Sequence, residues 1–305
     1  MSLEDPVVIT CSISGAIANR EQCPAIPYTP AEYAAEARRI VDEGGVHIHI
    51  HARKPDGTPS YEIEDFRAIT EAIRAEVGNA AIVNYSTGTI GVPVEKRIEY
   101  LRACRPEVAA LNMGSMNYAK YSRSRKQFVF AMVFENPFEE IVQLLEAMNE
   151  LGIKPEHECF DVGHVGSLAP LIDMGVLHPP LHVDCVMGVV GGIPPTARNL
   201  AALVENIPAG AGGRGPGGGG VPNHWGVIGI SRDQWMLVGA ALSLGGSIRV
   251  GLEDNLYLPD GEMARSNGEL IAKARQMTED MGRRPASVQE ARAMLGIPQR
   301  EGSVA

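Results

Sequence analysis

Short β-branched segments alternate with longer segments of helical period along the whole chain, and this alternation is the strongest constraint on the fold. Eight such pairs occur, and each predicted strand is followed by a predicted helix. Alternation of this kind favours parallel strands joined by right-handed crossovers. Eight units predict an α/β fold, a (β/α)8 TIM barrel, as a single domain over residues 1–305. The predicted strands span 7–12, 46–51, 81–86, 108–113, 156–162, 181–188, 224–230 and 247–254.

The predicted helices lie between these strands, and a last helix stands outside the repeat as a short C-terminal extension. The first helix has a clear start signal: Thr29 suits the N-cap, Pro30 suits the first turn, and Glu32 lies three residues after the cap. Gly44 is expected to end it. After the fourth strand the sequence predicts a long connection. The predicted helices span 30–43, 63–77, 94–104, 137–152, 166–174, 196–206, 232–244, 262–282 and 287–295.

Composition and charge narrow the class of protein. The net charge is −10, which argues against binding to nucleic acid or to an acidic membrane surface. The five cysteines form no CxxC pair, and we recognise neither a signal peptide nor an apolar stretch of about 18 residues. A soluble cytoplasmic protein without disulfides is therefore expected.

Two glycine patterns bear on nucleotide binding. No GxGxxG follows the first predicted strand, which argues against a dinucleotide-binding fold. The segment AGAGGRGPGGGG at 209–220 lacks the GK[ST] ending of a phosphate-binding loop, and it precedes a strand rather than a helix. It is expected to be a flexible surface linker.

Three histidines alternate in the second predicted strand, GGVHIHIHAR. Residues two apart in a strand point to the same face, so His47, His49 and His51 share one side. Active sites of TIM barrels lie at the carboxyl ends of the strands, which selects His49 and His51 and leaves His47 deeper in the barrel. Two imidazoles placed in this way can reach one divalent ion at about 2.0–2.1 Å. We therefore predict His49 and His51 as metal ligands.

A catalytic divalent ion needs a third protein ligand and an open position. The segment GLEDN after the last strand offers Glu253 and Asp254, and adjacent strand residues point to opposite sides. One of them is therefore expected to bind the metal while the other faces the substrate. Arg249, inside the same strand, needs a buried partner such as Asp254 or a substrate carboxylate. His164 and His182, near other strand ends, are further candidates.

Several segments together resemble the β-keto acid cleavage enzymes. They are SISGA, PYTPAEYAAEA, GGVHIHIHAR with PDG, NYSTG, LNMGSMN, MGVVGG and IRVGLEDN, spread over residues 6–295. The resemblance implies a zinc-containing (β/α)8 barrel that condenses a β-keto acid with acetyl-CoA, giving acetoacetate and a new acyl-CoA. It also implies that His49, His51 and Glu253 hold the metal.

The resemblance further implies catalytic roles for Ser86, Arg249 and Asp254. Asp254, oriented by Arg249 and Ser86, is expected to act as the base or relay for the α-proton of the substrate. Zinc, or another divalent metal in its place, would chelate the keto and carboxylate oxygens and act as a Lewis acid. No covalent nucleophile is required, and the sequence has no Cys or Ser triad motif.

Candidate substrate-binding residues follow the first, third and fourth strands. They are Ile17, Arg20, Ser86, Thr89 and Asn112. Ile17 stands where the lysine-fermentation member of the family carries a glutamate that partners the ammonium group of its substrate, and Ala110 stands where it carries a threonine. We therefore expect a substrate with an uncharged or apolar distal end. Alternatively, Arg20 could meet a second carboxylate.

Other classes of function stay open from the sequence. An amidohydrolase-like hydrolase also joins HxH to an aspartate of the last strand, and His164 and His182 would serve it; a metal-dependent aldolase or lyase has similar needs. A non-catalytic metal-binding barrel would have no need of Arg249 and Asp254 beside the metal. The family resemblance suggests a homotetramer whose partners are a β-keto acid and acetyl-CoA.

Overall fold

A computed structural model describes residues 1–209 and 223–300 of the chain. Its eight parallel strands close into a barrel in the order β1-β10-β9-β8-β7-β4-β3-β2, so the fold is a TIM barrel, as predicted. The barrel closes where β1 pairs with β10, with Ile9 opposite Ile248. In chain order the strands are β1 (Ile9–Ser12), β2 (His47–Ile50), β3 (Ile82–Ser86), β4 (Val108–Asn112), β5 (Met116–Ser122), β6 (Gln127–Phe134), β7 (Lys154–Cys159), β8 (His182–Met187), β9 (His224–Gly229) and β10 (Ser247–Val250).

Helices surround the barrel. A short 3₁₀ helix at Ser231–Asp233 precedes α8, and two short helices that meet at Ser167 replace the single helix predicted at 166–174. The α-helices are α1 (Pro30–Asp42), α2 (Ile63–Val77), α3 (Val94–Cys104), α4 (Phe138–Leu151), α5 (Val162–Gly166), α6 (Leu168–Asp173), α7 (Ala197–Glu205), α8 (Gln234–Ser243), α9 (Asn267–Asp280) and α10 (Val288–Leu295).

The start of α1 confirms the capping signal in the sequence. The Thr29 hydroxyl accepts from the Glu32 N–H, and the Glu32 carboxylate accepts from the Thr29 N–H at 2.9 Å. This reciprocal pair satisfies two backbone donors that the first turn would otherwise leave unpaired. Gly44, with φ of +94°, follows the last helical turn and lets the chain reverse into β2.

The hydrophobic core lies between the outward faces of the strands and the helices. Ile48 and Ile50 of β2 point outward and are fully buried in the same cluster as Phe66 and Ile69 of α2. Burial of one such side chain stabilises the fold by about 1.5–3 kcal/mol. Because the side chains of a strand alternate, the two histidines of β2 point into the barrel, where polar groups collect.

The hairpin of β5 and β6 replaces the long connection predicted after β4. The two strands pair antiparallel, with Met116 opposite Phe134, and project from the carboxyl end of the barrel. The Ala119 N–H donates to the Val190 carbonyl at 3.2 Å, which joins the hairpin to the loop after β8. The hairpin therefore forms one side of the barrel mouth.

The last helix, α10, closes the opposite end of the barrel. Ala291 and Leu295 pack in one buried cluster with Val8, Val46 and Ile82 at the amino ends of three strands. Arg292 of the same helix is wholly buried and forms an ion pair with Glu107. A buried pair of this kind is costly to break because one charge would be left without a partner.

Three further expectations concerned the cysteines, membrane-spanning helices and the glycine-rich segment. The five cysteines are free in the structure. No helix within the described residues is long and apolar enough to span a membrane. The predicted linker at 209–220 lies, apart from Ala209, outside the described residues.

Candidate active site

His49 and His51 bring two imidazoles to the carboxyl end of β2, with ring centroids 5.2 Å apart. Their Nε2 atoms lie 3.8 Å and 3.5 Å, respectively, from the two carboxylate oxygens of Glu253, which follows β10. The ligand atoms of the three residues all lie within 4.8 Å of one another. One ion placed among them could contact all three.

Glu253 reaches this position because β10 ends at Val250 and a turn follows at 251–254. Glu253 and Asp254 both line the pocket and both accept from Arg249 Nη2, so the expectation that they point to opposite sides is not met. Gly15, with φ of +60°, lies directly against the glutamate: a Cβ built there would be 2.6 Å from Glu253 Cγ. Only glycine leaves room for the carboxylate at this point.

The donor set fits a divalent metal. Glu253 Oε2 is buried and has no hydrogen-bond partner, so this oxygen faces the His49 imidazole unpaired. Burial, and then the charge of Arg249, lower the pKa of His49 well below its usual value, which keeps the imidazole neutral. Burial alone would raise the pKa of Glu253, but the charge of Arg249 holds it well below its usual range. Neutral imidazoles and an ionised carboxylate are the forms that bind metal.

Arg249 lies inside the barrel and joins three carboxylates. Its Nη2 donates to Glu253 Oε1 at 2.7 Å, and its Nη1 donates to Glu158 Oε1 at 3.1 Å. It also donates to Asp254 from Nε and Nη2, at 3.0 Å each. Burial alone would lower the pKa of Arg249, but the three carboxylates raise it well above the ordinary value. The arginine is therefore permanently charged and fixes the positions of the acids around it.

Asp254 accepts a further hydrogen bond from the hydroxyl of Ser12, at 2.5 Å. The expectation that Ser86 orients Asp254 does not match this arrangement, because the Ser86 hydroxyl instead accepts from the Gly88 N–H at 3.2 Å. Ser12 was not singled out from the sequence. Its register opposite His49 places it at the strand end, and that alignment was the available signal.

Glu158 is a second residue that sequence analysis missed. It is the penultimate residue of β7 and lines the same pocket as the histidines. Burial raises its pKa to about 7, although the charge of Arg249 opposes the rise. The signal was its position: Glu156 and Glu158 alternate at the end of a barrel strand, as the histidines do in β2.

The pocket above these groups has a volume of about 160 Å³. Ser86, Thr89, Asn112 and Ile17 all line it, as do the predicted metal ligands and Asp254. Its outer wall is mainly apolar and includes both strands of the hairpin. The apolar and aromatic lining residues are Ala16, Ile17, Tyr61, Ile90, Tyr118, Met132, Phe134, Phe160 and Ile230.

Arg20 does not line the pocket. Its guanidinium donates to Glu32 at 2.6 Å and to the Ile26 carbonyl at 2.9 Å, and it lies over the Tyr28 ring. These contacts hold the loop after β1 against α1. The expectation that Arg20 binds substrate is not met by this placement.

The other candidate histidines lie outside the pocket. His47 is buried one step deeper in the barrel, where its Nδ1 lies 3.0 Å from the Thr10 hydroxyl. His182 lies in the same buried layer, 3.3 Å from Asp184. His164 accepts from the Phe160 N–H at 3.3 Å. None of the three is among the residues that line the pocket.

A TIM barrel with three groups that could hold a metal ion and an arginine–carboxylate cluster at its carboxyl end belongs to a class suited to metal-assisted carbonyl chemistry. Comparison with known proteins gives the particular family. The model of the beta-keto acid cleavage enzymes matches residues 6–297, and the chain belongs to this family.

Named relatives span nearly the whole chain. It is 33% identical to the 3-keto-5-aminohexanoate cleavage enzyme of Acetoanaerobium sticklandii, over 96% of this chain and 99% of the relative. It is 34% identical to the 3,5-dioxohexanoate:acetyl-CoA acetone transferase of Paraburkholderia graminis, over 97% of each. The solved apo structure of ObcA aligns with a TM-score of 0.73 and 20% identity, over 90% of this chain and 66% of that one, a likeness of fold alone.

Proposed function

We propose that the protein condenses a β-keto acid with acetyl-CoA and releases acetoacetate and a new acyl-CoA. The observation that carries this proposal is one small pocket in which three metal-ligating groups face the same space as the Asp254–Arg249 pair. Membership of the β-keto acid cleavage family supports the reaction class, and the names of relatives support acetyl-CoA as the co-substrate.

We assign the metal to His49, His51 and Glu253 and propose zinc. Two imidazoles and one carboxylate are a common ligand set of catalytic zinc sites, which keep a further position open for substrate. The bound ion would polarise the keto and carboxylate oxygens of the substrate as a Lewis acid. Arg249 shares Glu253 Oε1 with this site and so restrains the carboxylate in its ligating position.

Asp254 is the proposed base. It removes a proton from the carbon between the keto and carboxylate groups, and it later returns that proton to the same carbon of the departing product. Arg249 and Ser12 hold both of its oxygens, so the carboxylate does not need to reorient during the reaction. Ser86, Thr89 and Asn112 provide polar groups on the adjacent wall for the substrate oxygens.

The carbon–carbon chemistry balances without a covalent enzyme intermediate. The deprotonated carbon attacks the acetyl carbonyl of acetyl-CoA, a new carbon–carbon bond forms, and the thiolate of coenzyme A leaves. The thiolate then attacks the original keto carbon, and the bond between that carbon and the α-carbon breaks. The acyl group departs as acyl-CoA, and protonation of the α-carbon gives acetoacetate.

We propose that the distal end of the substrate is uncharged. Ile17 and Ile90 are more than half exposed at the pocket mouth, where an apolar tail would cover them. The carboxylates that line the pocket (Glu158, Glu253 and Asp254) all contact Arg249. An ammonium group at the mouth would therefore have no free carboxylate partner among the described lining residues.

The hydrolase alternative requires further histidines at the metal. His164 and His182 would have to supply them, and neither lines the pocket. An aldolase or lyase, in contrast, would use the same groups without acetyl-CoA. Dependence on acetyl-CoA therefore separates the proposed reaction from this alternative.

The test is a steady-state assay of acetoacetate formation with a panel of β-keto acids in the presence and absence of acetyl-CoA. We expect turnover that requires acetyl-CoA and that is faster with 3-oxohexanoate than with its 5-amino derivative. Cleavage without acetyl-CoA would contradict the proposed reaction. A preference for the amino substrate would contradict the proposal that the distal end of the substrate is uncharged.

We also propose a homo-oligomeric cytoplasmic enzyme, with a tetramer as the expected form. Exposed apolar side chains on the hairpin support self-association: Phe128, Val129 and Val133 are each more than half exposed. Five free thiols support a reducing compartment. Light scattering during size-exclusion chromatography measures the oligomeric state, and a monomer would contradict it.

A further inference from the structure

The 160 Å³ pocket is too small to hold a β-keto acid together with the nucleotide portion of coenzyme A. A second groove, of about 640 Å³, lies at the same end of the barrel between α8, α9 and the loop after β10. This volume is in the range of sites for small-molecule ligands. It is lined by Arg232, Trp235, Met236, Asn255, Tyr257, Leu258, Pro259, Asp260, Gly261, Lys273 and Met277.

We propose that this groove binds the nucleotide end of the acyl-CoA, with Arg232 and Lys273 on its phosphates. The inference rests on the proposed function, because that function supplies acetyl-CoA as the co-substrate. It goes further by assigning the part of the protein that recognises the coenzyme.

The groove carries two cations, Arg232 and Lys273, and one carboxylate, Asp260, so its net positive charge favours a phosphate ligand. Arg232 is exposed and, among the described residues, has neither an ion-pair nor a hydrogen-bond partner. Lys273 donates to the neutral side chain of Gln276 at 3.3 Å and, within the same described residues, forms no salt bridge. In contrast, Arg265 has a carboxylate partner in Glu269. Two cations left available on opposite walls are suited to a polyphosphate.

The groove is also suited to a purine. Met236 is 81% exposed, which is unusual for a large apolar side chain, and Tyr257 is partly exposed beside it. The wall behind them is fixed, since the Trp235 indole N–H donates to the Tyr257 carbonyl at 2.8 Å and Asn255 Nδ2 donates to the same oxygen at 2.6 Å. A rigid apolar wall next to free cations matches the two chemical parts of an adenine nucleotide.

The groove adjoins the substrate pocket through two short segments. Ile230 lines the pocket and Arg232 lines the groove, while Ser231 between them turns the chain with φ of +66°. The Ser231 N–H donates at 2.8 Å to the carbonyl of Asp254, the proposed base, and the next residue, Asn255, already lines the groove. A pantetheine arm that crosses this boundary would bring the thioester to the base. In TIM barrels, phosphate groups often bind at the loops after the last two strands, which here are β9 and β10.

Another surface cavity differs from the groove in its charge. It has a volume of about 440 Å³ and lies between α3 and α4. Its lining carries four glutamates, Glu95, Glu99, Glu146 and Glu150. Repulsion by these carboxylates makes it unsuitable for the phosphates of a coenzyme.

The test compares the metal-loaded wild type with R232Q/K273Q and with the control R275Q, which removes a cation from α9 that pairs with Glu43 outside the groove. For the double variant we expect KM for acetyl-CoA to rise at least about tenfold, with KM for the β-keto acid unchanged. With acetyl-N-acetylcysteamine, a thioester without the nucleotide, the double variant and the wild type should turn over equally. R275Q should match the wild type with both thioesters.

Calorimetry with coenzyme A separates this inference from the proposed function. If the wild type does not bind coenzyme A, the groove assignment and the proposed reaction both fail. If the wild type binds and turns over acetyl-CoA but R232Q/K273Q has the same KM, only the groove assignment fails. A second variant, M236E, changes an exposed side chain that packing does not need, and its added carboxylate should also raise KM for acetyl-CoA severalfold. An unchanged KM for acetyl-CoA in M236E would also contradict the groove assignment.

Discussion

Arg249 binds Asp254 through two hydrogen bonds, from Nε to Oδ2 and from Nη2 to Oδ1, each 3.0 Å long. The same Nη2 also donates to Glu253 Oε1, which belongs to the proposed metal site. One planar guanidinium therefore sets the distance between the proposed base and a metal ligand. Because an arginine fork fits a carboxylate at two points, lysine could not reproduce this arrangement.

Replacing the base should affect chemistry more than folding. Asp254→Asn keeps the shape of the side chain but cannot take a proton, so we expect kcat to fall about 10²–10⁴-fold with bound metal retained. Ser12→Ala removes only a positioning contact and should lower kcat less, about tenfold. Steady-state kinetics with metal analysis measures both effects. Wild-type kcat in Asp254→Asn would show that another group is the base.

The two classes of histidine in β2 should respond differently to substitution. His51→Ala removes a proposed ligand, and we expect metal affinity to fall by at least about 100-fold. His47→Ala, from the layer below, should keep about one ion per chain. It should still lose about 1–3 kcal/mol of stability, because it leaves the Thr10 hydroxyl without its partner. Equal metal content in the two variants, measured after dialysis against a weak chelator, would contradict the assignment.

Gly15 gives a steric test of the metal site. Gly15→Ala places a Cβ 2.6 Å from Glu253 Cγ, so the carboxylate must move away from the histidines. The matched control is Gly91→Ala, which has a similar φ of +68° but no neighbouring atom within 4 Å of the new Cβ. Both should lose about 1–2 kcal/mol through backbone strain. Only Gly15→Ala should lose metal affinity, and retention of metal in both would refute the steric argument.

The pocket mouth should set the preference for the substrate tail. Ile17→Glu adds a carboxylate at a position that is 54% exposed and lines the pocket. We expect kcat/KM to rise about tenfold for a 5-amino β-keto acid and to fall for a neutral one, because the charge attracts ammonium and disfavours an apolar tail. Ile17→Gln, of similar size without the charge, is the control. If both substitutions shift the preference equally, size and polarity rather than charge determine it.

Glu32 should make stability depend on pH in the acid range. Burial alone raises the pKa of its carboxyl, but the N–H groups of Tyr28 and Thr29 and the Arg20 guanidinium lower it to about 2, from an ordinary value of 4.5. The folded pKa is depressed, so the stabilisation is complete above pH 4.5 and is lost as the pH falls toward 2. Because the side chain is 42% exposed, we expect a contribution of about 1 kcal/mol after screening.

Urea unfolding of Glu32→Gln measures this contribution. The variant should be less stable than the wild type by about 1 kcal/mol at pH 7, and most of the difference should be gone at pH 3. Glu21→Gln, which removes the same charge from the neighbouring loop, should change stability by less than about 0.5 kcal/mol. A deficit in Glu32→Gln that stays constant from pH 7 to pH 3 would argue against the carboxylate as its source.

The sequence predicted the barrel because each barrel strand is a short buried segment with a helix behind it. It missed the hairpin for a physical reason. The turn between β5 and β6, RSRK at 123–126, contains none of the glycine, asparagine or proline residues that mark hairpins, and Lys126 adopts φ of +52° there instead. The strands themselves are half exposed and so lack the apolar character of their neighbours in the barrel.

Strand period and barrel topology predicted that the histidines lie at the same end as Glu253 and Asp254, and the family resemblance selected Glu253 as the third ligand. The role of Ser12 was not predicted, because its partner Asp254 lies 242 residues away and reaches it through the turn at Gly251. That glycine has φ of +149°, and a Cβ there would lie 2.1 Å from the Ser12 carbonyl oxygen. Backbone approach this close depends on tertiary geometry that no local pattern contains.

The helix that closes the amino end of the barrel has a kinetic consequence. With α10 packed across that end, the pocket formed by the described residues opens at the other end, toward the hairpin and the proposed coenzyme groove. Reactants and products then pass through the same opening, and acetoacetate has to leave before the next keto acid can bind. Departure of products through the common entrance is therefore expected to set the upper limit of the turnover rate.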